Sequence, residues 1–532
     1  MREAIKKLII ENYSSIASRD DLEALKRKFC KDFNLKDISN TSILEVYREL
    51  LAKQVIFKSF SLEKILKKRT IRTMSGIAPV AVLTKPYPCP GECAYCPRQK
   101  NVPVSYLDNE PAVMRAIRCG YDPYKQIILR LKSLEDNGHE PNKIEVIVIG
   151  GTWSYLPKKY QYWFIASCFQ AANDYQKINK NKKEKNFKLI SKISKNLNFT
   201  ELNSVLLKEQ KKNEKARYKI IGLTLETRPD FINEKELMQM RELGCTRVEI
   251  GVQAIDDKIL KKNKRGHDTG VIIKATKLLK SYGFKITYHF MPALPGSNPD
   301  KDLKMFKDLF TGDNFQPDQI KFYPTVVTQG SLLYNWHKKG AYQPYSDQQL
   351  SNLIIACKKI IPPYVRIIRL IRDIPGESII AGNKITNLRQ IMHSKGVKCN
   401  CIRCREVKDG IIDKYKINIL EYQASGGREY FISLDSFDKK VLYGFCRLRL
   451  DNNSPISPAI IRELHVYGQL VPVGSQKIIQ HSGFGKKLLA VAEKITKEQN
   501  INKITVISGI GVRNYYRKLG YKKNATYLIK KI

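Results

Sequence analysis

Between about residue 76 and residue 395, short apolar runs alternate with amphipathic helical stretches, and this alternation limits the possible folds more than any other feature. Most of the candidate strands are rich in apolar or β-branched residues, as strands buried on both faces of a sheet are. They cover residues 144–151, 218–226, 246–253, 284–292, 318–324 and 365–371. Repeated strand–helix units predict an α/β fold around a parallel sheet, either open or closed into a barrel.

Polar side chains lie at or just past the ends of several of these strands. In parallel sheets of this kind, ligands bind at the carboxyl ends of the strands. We therefore predict ligand contacts at Gly150, Gly151, Thr152, Glu226 and Gln253, and substrate-facing catalytic side chains at His289 and Lys321. Because neighbouring strand residues alternate in direction, Tyr288 is expected to face outward. A buried ion pair between Glu226 and Arg228 that stabilises the barrel is an equally open alternative.

A short loop, PYPCPGECAYCPRQK from Pro86 to Lys100, places three cysteines close together. Cys89, Cys93 and Cys96 follow the pattern C-x3-C-x2-C. Thiolates are soft ligands that suit zinc or iron–sulfur clusters. A structural zinc ion would need a fourth ligand nearby, and the loop contains none. Three ligands on a four-iron cluster, by contrast, leave one iron free for a substrate.

The cysteine spacing, with an aromatic residue before the third cysteine, resembles the radical S-adenosylmethionine superfamily. The resemblance implies a 4Fe-4S cluster whose free iron binds the amino and carboxylate groups of S-adenosylmethionine. An electron from a low-potential donor then cleaves that molecule to a 5′-deoxyadenosyl radical. The resemblance also implies a partial (βα)6 barrel, in which Gly150, Gly151 and Thr152 form the glycine motif that contacts the methionine amino group.

From about residue 411 the pattern changes to longer amphipathic strands, one helix and a last strand, which predicts a separate α/β domain. Gln480, Gly483 and Gly485 match Q-x-x-G-x-G/A directly before the helix. Glycines let backbone N–H groups approach a pyrophosphate at a helix N-terminus. This order of elements resembles the GNAT acetyltransferases.

The GNAT resemblance implies that the glycine-rich turn binds acetyl-CoA and that a tyrosine lies near the CoA sulfur. The residues that the match assigns to the turn are Gln480, His481, Gly483, Phe484, Gly485 and Lys486. Tyr515 and Tyr516 are the candidates for the tyrosine. Ordinary aromatic core packing is the alternative for one of the pair.

A second cysteine group, KCNCIRCREV, lies between the two predicted domains. Cys399, Cys401 and Cys404 follow C-x-C-x2-C, and zinc with a fourth ligand from elsewhere is the interpretation that we favour. His393 is close in sequence. The remaining six cysteines are interpreted as small core hydrophobes; they are Cys30, Cys119, Cys168, Cys245, Cys357 and Cys446.

The two domain types together resemble the catalytic third subunit of Elongator and its stand-alone archaeal and bacterial relatives. The stretches that carry this resemblance run in order from about residue 65 to the C-terminus and include EPAVMRAIRCGYDPY, LTLETRPD, RGHDTG, RELHVYG and VISGIGVRNYYRKLGY. The resemblance implies a tRNA carboxymethyluridine synthase. In that reaction the adenosyl radical takes hydrogen from the acetyl methyl of acetyl-CoA. The carbon radical adds to C5 of the wobble uridine, and hydrolysis of the thioester leaves a 5-carboxymethyl group.

The charge of the chain fits a polyanionic partner. Lys and Arg number 94 against 51 Asp and Glu, a formal net charge of +43, and basic side chains that neutralise phosphates release counterions. A lysine-rich proteome is the alternative explanation. With the resemblance, tRNA and its anticodon stem-loop become the expected partner, and the candidate contacts are Lys67, Lys68, Arg69, Arg72, Arg115 and Arg118.

These interpretations predict four segments. Residues 1–75 form a helical, basic, tRNA-binding segment; residues 76–395 a radical S-adenosylmethionine barrel; residues 396–410 a zinc-binding linker; and residues 411–532 a GNAT domain. Clustered cysteines, no cleavable leader and no long apolar run predict a cytoplasmic protein without a membrane span. Elongator-type subunits or further copies of the chain are possible partners. The alternative function is a protein lysine acetyltransferase in which the radical domain is a scaffold.

Overall fold

The computed structural model describes residues 1–67, 75–180, 191–385, 387–394, 396–407, 414–468 and 483–532. The helices in these ranges are α1 (Arg2–Asn12), α2 (Arg19–Asp32), α3 (Asn40–Ala52), α4 (Phe60–Leu66), α5 (Pro111–Arg118), α6 (Pro123–Asp136), α7 (Lys158–Lys180), α8 (Phe199–Asn213), α9 (Glu234–Glu242), α10 (Asp257–Lys262), α11 (Thr269–Ser281), α12 (Pro299–Thr311), α13 (Leu332–Lys338), α14 (Asp347–Ile360), α15 (Leu388–Ser394), α16 (Ile402–Arg405), α17 (Phe484–Glu498) and α18 (Arg513–Arg517). The strands are β1 (Ala78–Leu83), β2 (Lys143–Ile149), β3 (Lys219–Thr227), β4 (Arg247–Gln253), β5 (Lys285–Phe290), β6 (Gln319–Phe322), β7 (Val327–Thr328), β8 (Arg366–Arg369), β9 (Ile379–Ala381), β10 (Tyr415–Ala424), β11 (Gly427–Ser436), β12 (Leu442–Leu450), β13 (Ala459–Val466), β14 (Lys503–Val506), β15 (Lys522–Asn524) and β16 (Tyr527–Lys531).

The first large sheet is a curled, all-parallel half-barrel with the strand order β1-β2-β3-β4-β5-β6-β8. All six predicted strands are present, with ends that differ from the predicted ends by at most two residues. β1 precedes them and leads directly into the first cysteine loop. The apolar strand residues are buried because helices such as α6, α7 and α11 cover the sheet. The prediction of an α/β class with a partial barrel is confirmed.

The second large sheet is mixed, with the order β10-β11-β12-β13-β14-β16-β15. Its neighbours are antiparallel except β13 and β14, which run parallel. The register between β13 and β14 contains two pairs, Ile460 with Thr505 and Ile461 with Val506. Beyond these pairs the two strands separate. α17 packs on β11, β12 and β13 beside this gap.

The two sheets are joined by buried ion pairs at the amino-terminal ends of the barrel strands. Asp318, directly before β6, accepts a hydrogen bond from Nη1 of Arg462 on β13 at 2.8 Å. The same Nη1 donates to Glu429 on β11 at 3.0 Å, and Lys280 from α11 lies 3.5 Å from Glu429. All four side chains are fully buried. The second domain therefore closes the floor of the half-barrel, opposite its carboxyl-end mouth.

The N-terminal helices α1 to α4 have an apolar core of their own, which includes Leu8, Leu44 and Leu62. They contact the rest of the chain where α3 packs on α6. This agrees with the predicted helical segment, whose basic end at residues 68–74 lies outside the described residues. In the part of the chain that is described, no helix has the length and apolar character required to cross a membrane.

Candidate active sites at the two ends of the barrel

The first cysteine loop begins at the carboxyl end of β1, and hydrogen bonds from Arg265 stabilise it. Arg265 Nη1 donates to Cys93 Sγ at 3.1 Å, while its Nη2 donates to the Gly251 carbonyl oxygen. The hydrogen bond from Cys96, together with the positive charge of Arg265, lowers the pKa of the Cys93 thiol to about 4. Since the thiolate is the form that ligates metal, the loop is suited to a metal centre.

The three thiols of the first loop form a less compact set than those of the second cysteine group. Among the described residues, one set of three His, Cys, Asp or Glu ligand atoms lies entirely within 4.8 Å, and it is formed by Cys399, Cys401 and Cys404. The three thiols of the first loop therefore do not all lie within that distance of one another, although Cys96 is hydrogen-bonded to Cys93. Cys89 Sγ instead lies 3.8 Å from Thr152 Oγ1, at the end of β2. Three cysteine thiolates in one loop are soft ligands of the kind that iron–sulfur clusters take.

Four buried polar atoms around this loop have no hydrogen-bond partner among the residues that the structure describes. They are the Tyr95 hydroxyl, Arg228 Nη1, Gln253 Oε1 and Arg265 Nε. Native proteins rarely leave such groups unsatisfied, and each therefore requires an explanation. A bound polar ligand supplies one. The donor set and these atoms together fit an iron–sulfur cluster with S-adenosylmethionine at the barrel mouth.

Two glycines bring the backbone close to this site. A Cβ atom added to Gly91 would lie 2.0 Å from Arg228 Nη1, so glycine permits the close approach of the loop to this guanidinium. Gly150 has φ +126°, and a Cβ there would lie 2.3 Å from Thr84 Oγ1. Thr84 Oγ1 donates to the Gly150 carbonyl at 3.0 Å, which joins the predicted glycine turn to the end of β1. Gly151 has open space around its Cα.

A column of ionic side chains fills the barrel interior below the mouth. Glu249 is completely buried and accepts hydrogen bonds from His289 Nε2, at 2.9 Å, and from Lys321 Nζ. Burial alone would raise the pKa of Glu249, but Lys321, His289 and Arg247 hold it well below its usual range. Glu249 therefore holds the two predicted residues, His289 and Lys321, next to each other. The sequence analysis did not predict a role for Glu249.

The column continues upward and downward from Glu249. Above it, His289 Nδ1 lies 3.6 Å from Glu226 Oε1, and the Tyr106 hydroxyl donates to Glu226 Oε2 at 3.3 Å. Below it, Arg247 lies 3.6 Å from Glu249 and 3.2 Å from Glu145. Glu226 therefore faces His289, whereas Arg228 forms its ion pair with Asp230 at 2.9 Å, so the alternative of a Glu226–Arg228 pair is wrong.

Two further strand residues have the orientations that their sequence positions indicate. The Tyr288 hydroxyl meets Thr276 of α11, so this ring faces the helical layer as strand alternation predicts. Gln253 ends β4 with φ +68°, a left-handed conformation that is uncommon outside glycine. Such conformations cluster at ligand-binding sites, where the surrounding structure maintains them.

A cavity of about 390 Å³ lies at the opposite end of the barrel, where the second domain meets the floor. It follows the gap between β13 and β14. The predicted CoA residues that line it are Gly483, Gly485, Lys486, Tyr515 and Tyr516. The barrel contributes Lys143, Glu145, Thr246 and Lys285 to the same cavity. Gln480 and His481 lie outside the described residues, and Phe484 is buried in the core against Tyr415.

The two candidate tyrosines differ in their surroundings. Tyr515 is 37% exposed, and a Cβ atom added to Gly485 would lie 2.6 Å from its hydroxyl oxygen. Tyr516 is buried and packs edge-on against Tyr515 and Tyr521. Burial raises the pKa of both hydroxyl groups, so both are proton donors at neutral pH. Tyr515 is the one that touches the glycine turn.

The second cysteine group forms a compact site beside β8. Cys401 is buried, Cys399 is partly buried and Cys404 is exposed. Hydrogen bonds from Cys399 and Cys404 hold the pKa of the Cys401 thiol well below its usual range. Three thiols within 4.8 Å suit a soft metal ion. His393 is close to these cysteines in the sequence, but its ring is not part of this set. It therefore does not supply a fourth ligand here.

Of the three predicted tRNA contacts that the structure describes, Arg118 is the most accessible. It is exposed on α5, a helix that packs on β1 and so lies near the cysteine loop. Arg115 on the same helix and Lys67 at the end of α4 are partly buried. Lys68, Arg69 and Arg72 lie outside the described residues.

Protein-family models match both parts of the barrel. The model of the radical SAM superfamily matches residues 87–309, and that of the Radical_SAM C-terminal domain matches residues 317–396. With the half-barrel and its cysteine loop, these matches define a radical S-adenosylmethionine protein that carries a second α/β domain.

Comparison with similar proteins assigns the chain to one family within this class. The tRNA uridine(34) acetyltransferase of Dehalococcoides mccartyi (strain CBDB1) is 41% identical over 486 residues, which cover 87% of this chain and 99% of that protein. Elongator complex protein 3 of Homo sapiens is 36% identical over 497 residues, 87% of this chain and 86% of the human protein. The solved structure of the archaeal Methanocaldococcus infernus Elp3 lacking residues 1–46 has a TM-score of 0.71 at 38% identity, and the match covers 86% of this chain and 100% of that one. The chain belongs to the family of tRNA uridine(34) acetyltransferases and Elongator complex protein 3.

Proposed function

We propose that this chain modifies the wobble uridine of tRNA, and that it uses S-adenosylmethionine and acetyl-CoA to install a 5-carboxymethyl group. The observation that carries the proposal is the presence of two chemically different sites at the two ends of one barrel. A thiolate loop lies at the carboxyl-end mouth, and a cavity lined by the glycine turn lies at the floor. The names of the relatives supply the substrate, tRNA uridine 34.

At the mouth, Cys89, Cys93 and Cys96 would hold the 4Fe-4S cluster, and Arg265 would neutralise part of its negative charge. Gly150, Gly151, Thr152, Glu226 and Gln253 would hold S-adenosylmethionine. The chemistry that this pair supplies is reductive cleavage to a radical that removes a hydrogen atom from the acetyl methyl group. The unpaired buried atoms at this end support the assignment because a bound ligand would satisfy them.

In the barrel, we assign His289 and Lys321 to binding of the reacting groups. Although burial opposes it, Glu249 raises the pKa of Lys321, which therefore remains a cation. A cation in a buried site is a strong donor to a carbonyl oxygen of the base or the acyl group. Glu249 positions Lys321 and the Nε2 side of the His289 ring, and Glu226 lies beside the Nδ1 side of that ring.

At the floor, the turn before α17 is suited to acetyl-CoA. Gly483 has φ +75° at the N-cap, where the free N–H groups and the helix dipole favour a pyrophosphate. The gap between β13 and β14 would admit the pantetheine arm. Tyr515 would donate its proton to the departing CoA thiolate. Gln480 and His481 remain predicted members of this turn, and we propose a structural zinc ion for Cys399, Cys401 and Cys404.

Nucleoside mass spectrometry tests the proposed reaction. We expect anaerobic incubation of the reconstituted protein with tRNA, acetyl-CoA, S-adenosylmethionine and a reductant to yield 5-carboxymethyluridine at position 34. Omission of either cofactor is expected to remove the product, because each site supplies a separate step. 5′-Deoxyadenosine release without a modified uridine, at full cluster content, would contradict the proposal.

A protein lysine acetyltransferase is the second candidate, and the floor cavity alone favours it. Such an enzyme needs acetyl-CoA and a lysine acceptor but no cluster. Transfer of radiolabelled acetyl groups to peptides in air, without S-adenosylmethionine, would identify this activity. We expect no transfer above the uncatalysed rate.

The tRNA interface is tested at Arg118. We expect Arg118→Ala to weaken tRNA binding at low salt and to reduce the slope of log Kd against log salt concentration by about 1, because one phosphate contact is lost. Lys304→Ala on α12 is the matched control, since Lys304 is also exposed but pairs with Asp308. Equal salt slopes for the two variants would exclude Arg118 from the interface. Filter binding over a range of salt concentrations measures both.

A further inference from the structure

Guanidinium groups lie around the proposed cluster loop, and two of them have carboxylate partners. The charge of Arg228 acts on the Cys93 thiol, but Nε and Nη2 of Arg228 both donate to the Asp230 carboxylate, each at 2.9 Å. Arg372 also acts on the loop and lies 3.3 Å from Glu110. The two carboxylates therefore offset much of the positive charge that these residues bring to the loop.

Arg265 has no such carboxylate partner among the residues that the structure describes. It is 5% exposed, its Nη1 donates to Cys93 Sγ at 3.1 Å, and its Nη2 donates to the Gly251 carbonyl oxygen. The groups that most favour its positive charge are Tyr95, Cys93 and Cys96, all in the cysteine loop. Because a buried cation is costly without an anion, the thiolates of the loop are the countercharge that this position requires.

A short turn after α10 directs Arg265 at the cysteine loop. The residues on both sides of Arg265 are left-handed, since Lys264 has φ +54° and Gly266 has φ +74°. For a residue other than glycine, this conformation persists only where the surrounding structure maintains it. The Asn263 carbonyl oxygen accepts from the Ala94 backbone N–H at 3.1 Å. A backbone hydrogen bond between the turn and the loop therefore fixes the guanidinium relative to the thiols.

The strand on the other side of the guanidinium leaves room for it. A Cβ atom added to Gly251 would lie 2.6 Å from Arg265 Nη2, so glycine permits this approach. Gly251 lies on β4, two residues before Gln253, which is one of the residues that we assign to S-adenosylmethionine. Arg265 therefore connects the cluster loop to the strand end at which the cofactor would bind.

The reduction potential of an iron–sulfur cluster depends on its net charge and on hydrogen bonds to its sulfur atoms. Reduction adds one negative charge, and a fixed cation nearby stabilises the reduced form more than the oxidised form. The effect is strong in a buried site, where charges are poorly screened. Arg265 meets both conditions, because it brings a charge without a carboxylate partner and a direct N–H···S hydrogen bond.

We propose that Arg265 sets the reduction potential of the cluster, raising it so that a low-potential donor can deliver the electron that cleaves S-adenosylmethionine. The inference rests on the cluster site of the proposed function. In this step the donor loses one electron and the cluster gains it. No bond to Arg265 forms or breaks, and the guanidinium keeps its protons. Arg265 contacts a ligand of the cluster but none of the reacting atoms, so it acts through the potential.

The test is a redox titration, followed by electron paramagnetic resonance, of the reconstituted chain and of Arg265→Gln. Neither tRNA nor acetyl-CoA is present. Glutamine can still donate an N–H but carries no charge. We expect the ratio of reduced to oxidised cluster at a fixed solution potential to fall roughly tenfold, which for a one-electron couple is a shift of about 59 mV to lower potential. An unchanged or higher potential at wild-type iron content would overturn the inference.

Arg241→Gln is the matched control. Arg241 is also fully buried, but it donates to backbone carbonyl oxygens, including that of Thr526 at 2.6 Å, near the floor of the barrel. We expect this variant to keep its iron and the wild-type potential. An equal shift in Arg241→Gln and Arg265→Gln would mean that the loss of any buried guanidinium moves the potential, and it would overturn the assignment to Arg265.

A second variant at the same position, Arg265→Lys, keeps the charge. Its single nitrogen cannot span Cys93 and the Gly251 carbonyl as the two Nη atoms do. We therefore expect a potential between those of the wild-type chain and Arg265→Gln. If Arg265→Gln holds less iron than the wild-type chain, Arg265→Lys decides the question, and a wild-type potential in it would overturn the inference.

Release of 5′-deoxyadenosine separates an effect on the potential from a structural defect. We expect Arg265→Gln to release it more slowly than the wild-type chain with dithionite. This deficit should shrink with titanium(III) citrate, a stronger reductant. A structural role for Arg265 predicts the same deficit with both reductants, and that result would contradict the inference.

The outcomes distinguish this inference from the proposed function, because the titration needs neither tRNA nor acetyl-CoA. A lowered potential in Arg265→Gln, with no 5-carboxymethyluridine from the wild-type chain, would support the role of Arg265 and overturn the function. Uridine modification by the wild-type chain, with an unshifted potential in Arg265→Gln, would leave the function standing and exclude the inference. A wild-type chain that takes up no cluster would overturn both.

Discussion

Cys89→Ala is expected to abolish both 5′-deoxyadenosine release and 5-carboxymethyluridine formation, down to the background without enzyme. Cys89 is one of three ligands in our proposal, and a cluster with two thiolates would not be retained. The Cys89 thiol lies against Thr152, so its loss also removes the contact between the cluster loop and the glycine turn. Iron content, deoxyadenosine chromatography and nucleoside mass spectrometry measure the three consequences.

Cys30→Ala is the matched control for this substitution. Cys30 lies on α2 among the N-terminal helices, far from the cysteine loop in the fold, and is partly buried as Cys89 is. We expect the control to keep its iron and its product. Acetyl-CoA binding should be the same in both variants, because the floor cavity is at the other end of the barrel. Full uridine modification by Cys89→Ala would leave the lysine acetyltransferase or another cluster-free chemistry as the function to be tested.

Asp318→Asn is expected to lower the free energy of unfolding by about 3–5 kcal/mol, because it leaves buried cations without their anion. Asp318 is fully buried, accepts from Arg462 Nη1 at 2.8 Å and lies 3.5 Å from Arg447. Asparagine keeps the shape, and its amide oxygen can still accept from the Ile286 backbone N–H, which lies 2.9 Å from Asp318 Oδ2. The change therefore removes the charge and replaces the oxygen that accepts from Arg462 Nη1 with an NH2 group, which cannot accept. Urea unfolding followed by fluorescence and circular dichroism measures it.

Asp438→Asn makes the same chemical change at an exposed ion pair with Lys440. We expect this control to leave the free energy of unfolding nearly unchanged, since solvent screens such pairs. Asp318 and Arg462 come from different domains, so Asp318→Asn should also separate the unfolding of the two domains into distinct transitions. A single, unshifted transition would contradict a stabilising role for this ionic interface.

Sequence analysis predicted those structural features that are encoded within a short stretch of the chain. A cysteine spacing of four and then three residues, a glycine turn before an amphipathic helix, and apolar runs between helices can each be recognised within a short window of sequence. Those signals predicted the α/β class, six strands of the half-barrel and the first cysteine loop. They also selected His289 and Lys321, because polar residues in otherwise apolar strands stand out.

Tertiary structure decided which of these residues meet and what else joins them. Arg265 reaches Cys93 across 172 residues, Glu249 reaches His289 across 40, and His465 reaches the Ser75 carbonyl across 390. Each contact depends on strand register, on the curl of the sheet or on the packing of the second domain on the barrel floor. None of these leaves a local pattern in the chain, because the partners of a buried charge are set by burial and distance, whereas a sequence motif records only the spacing of neighbours.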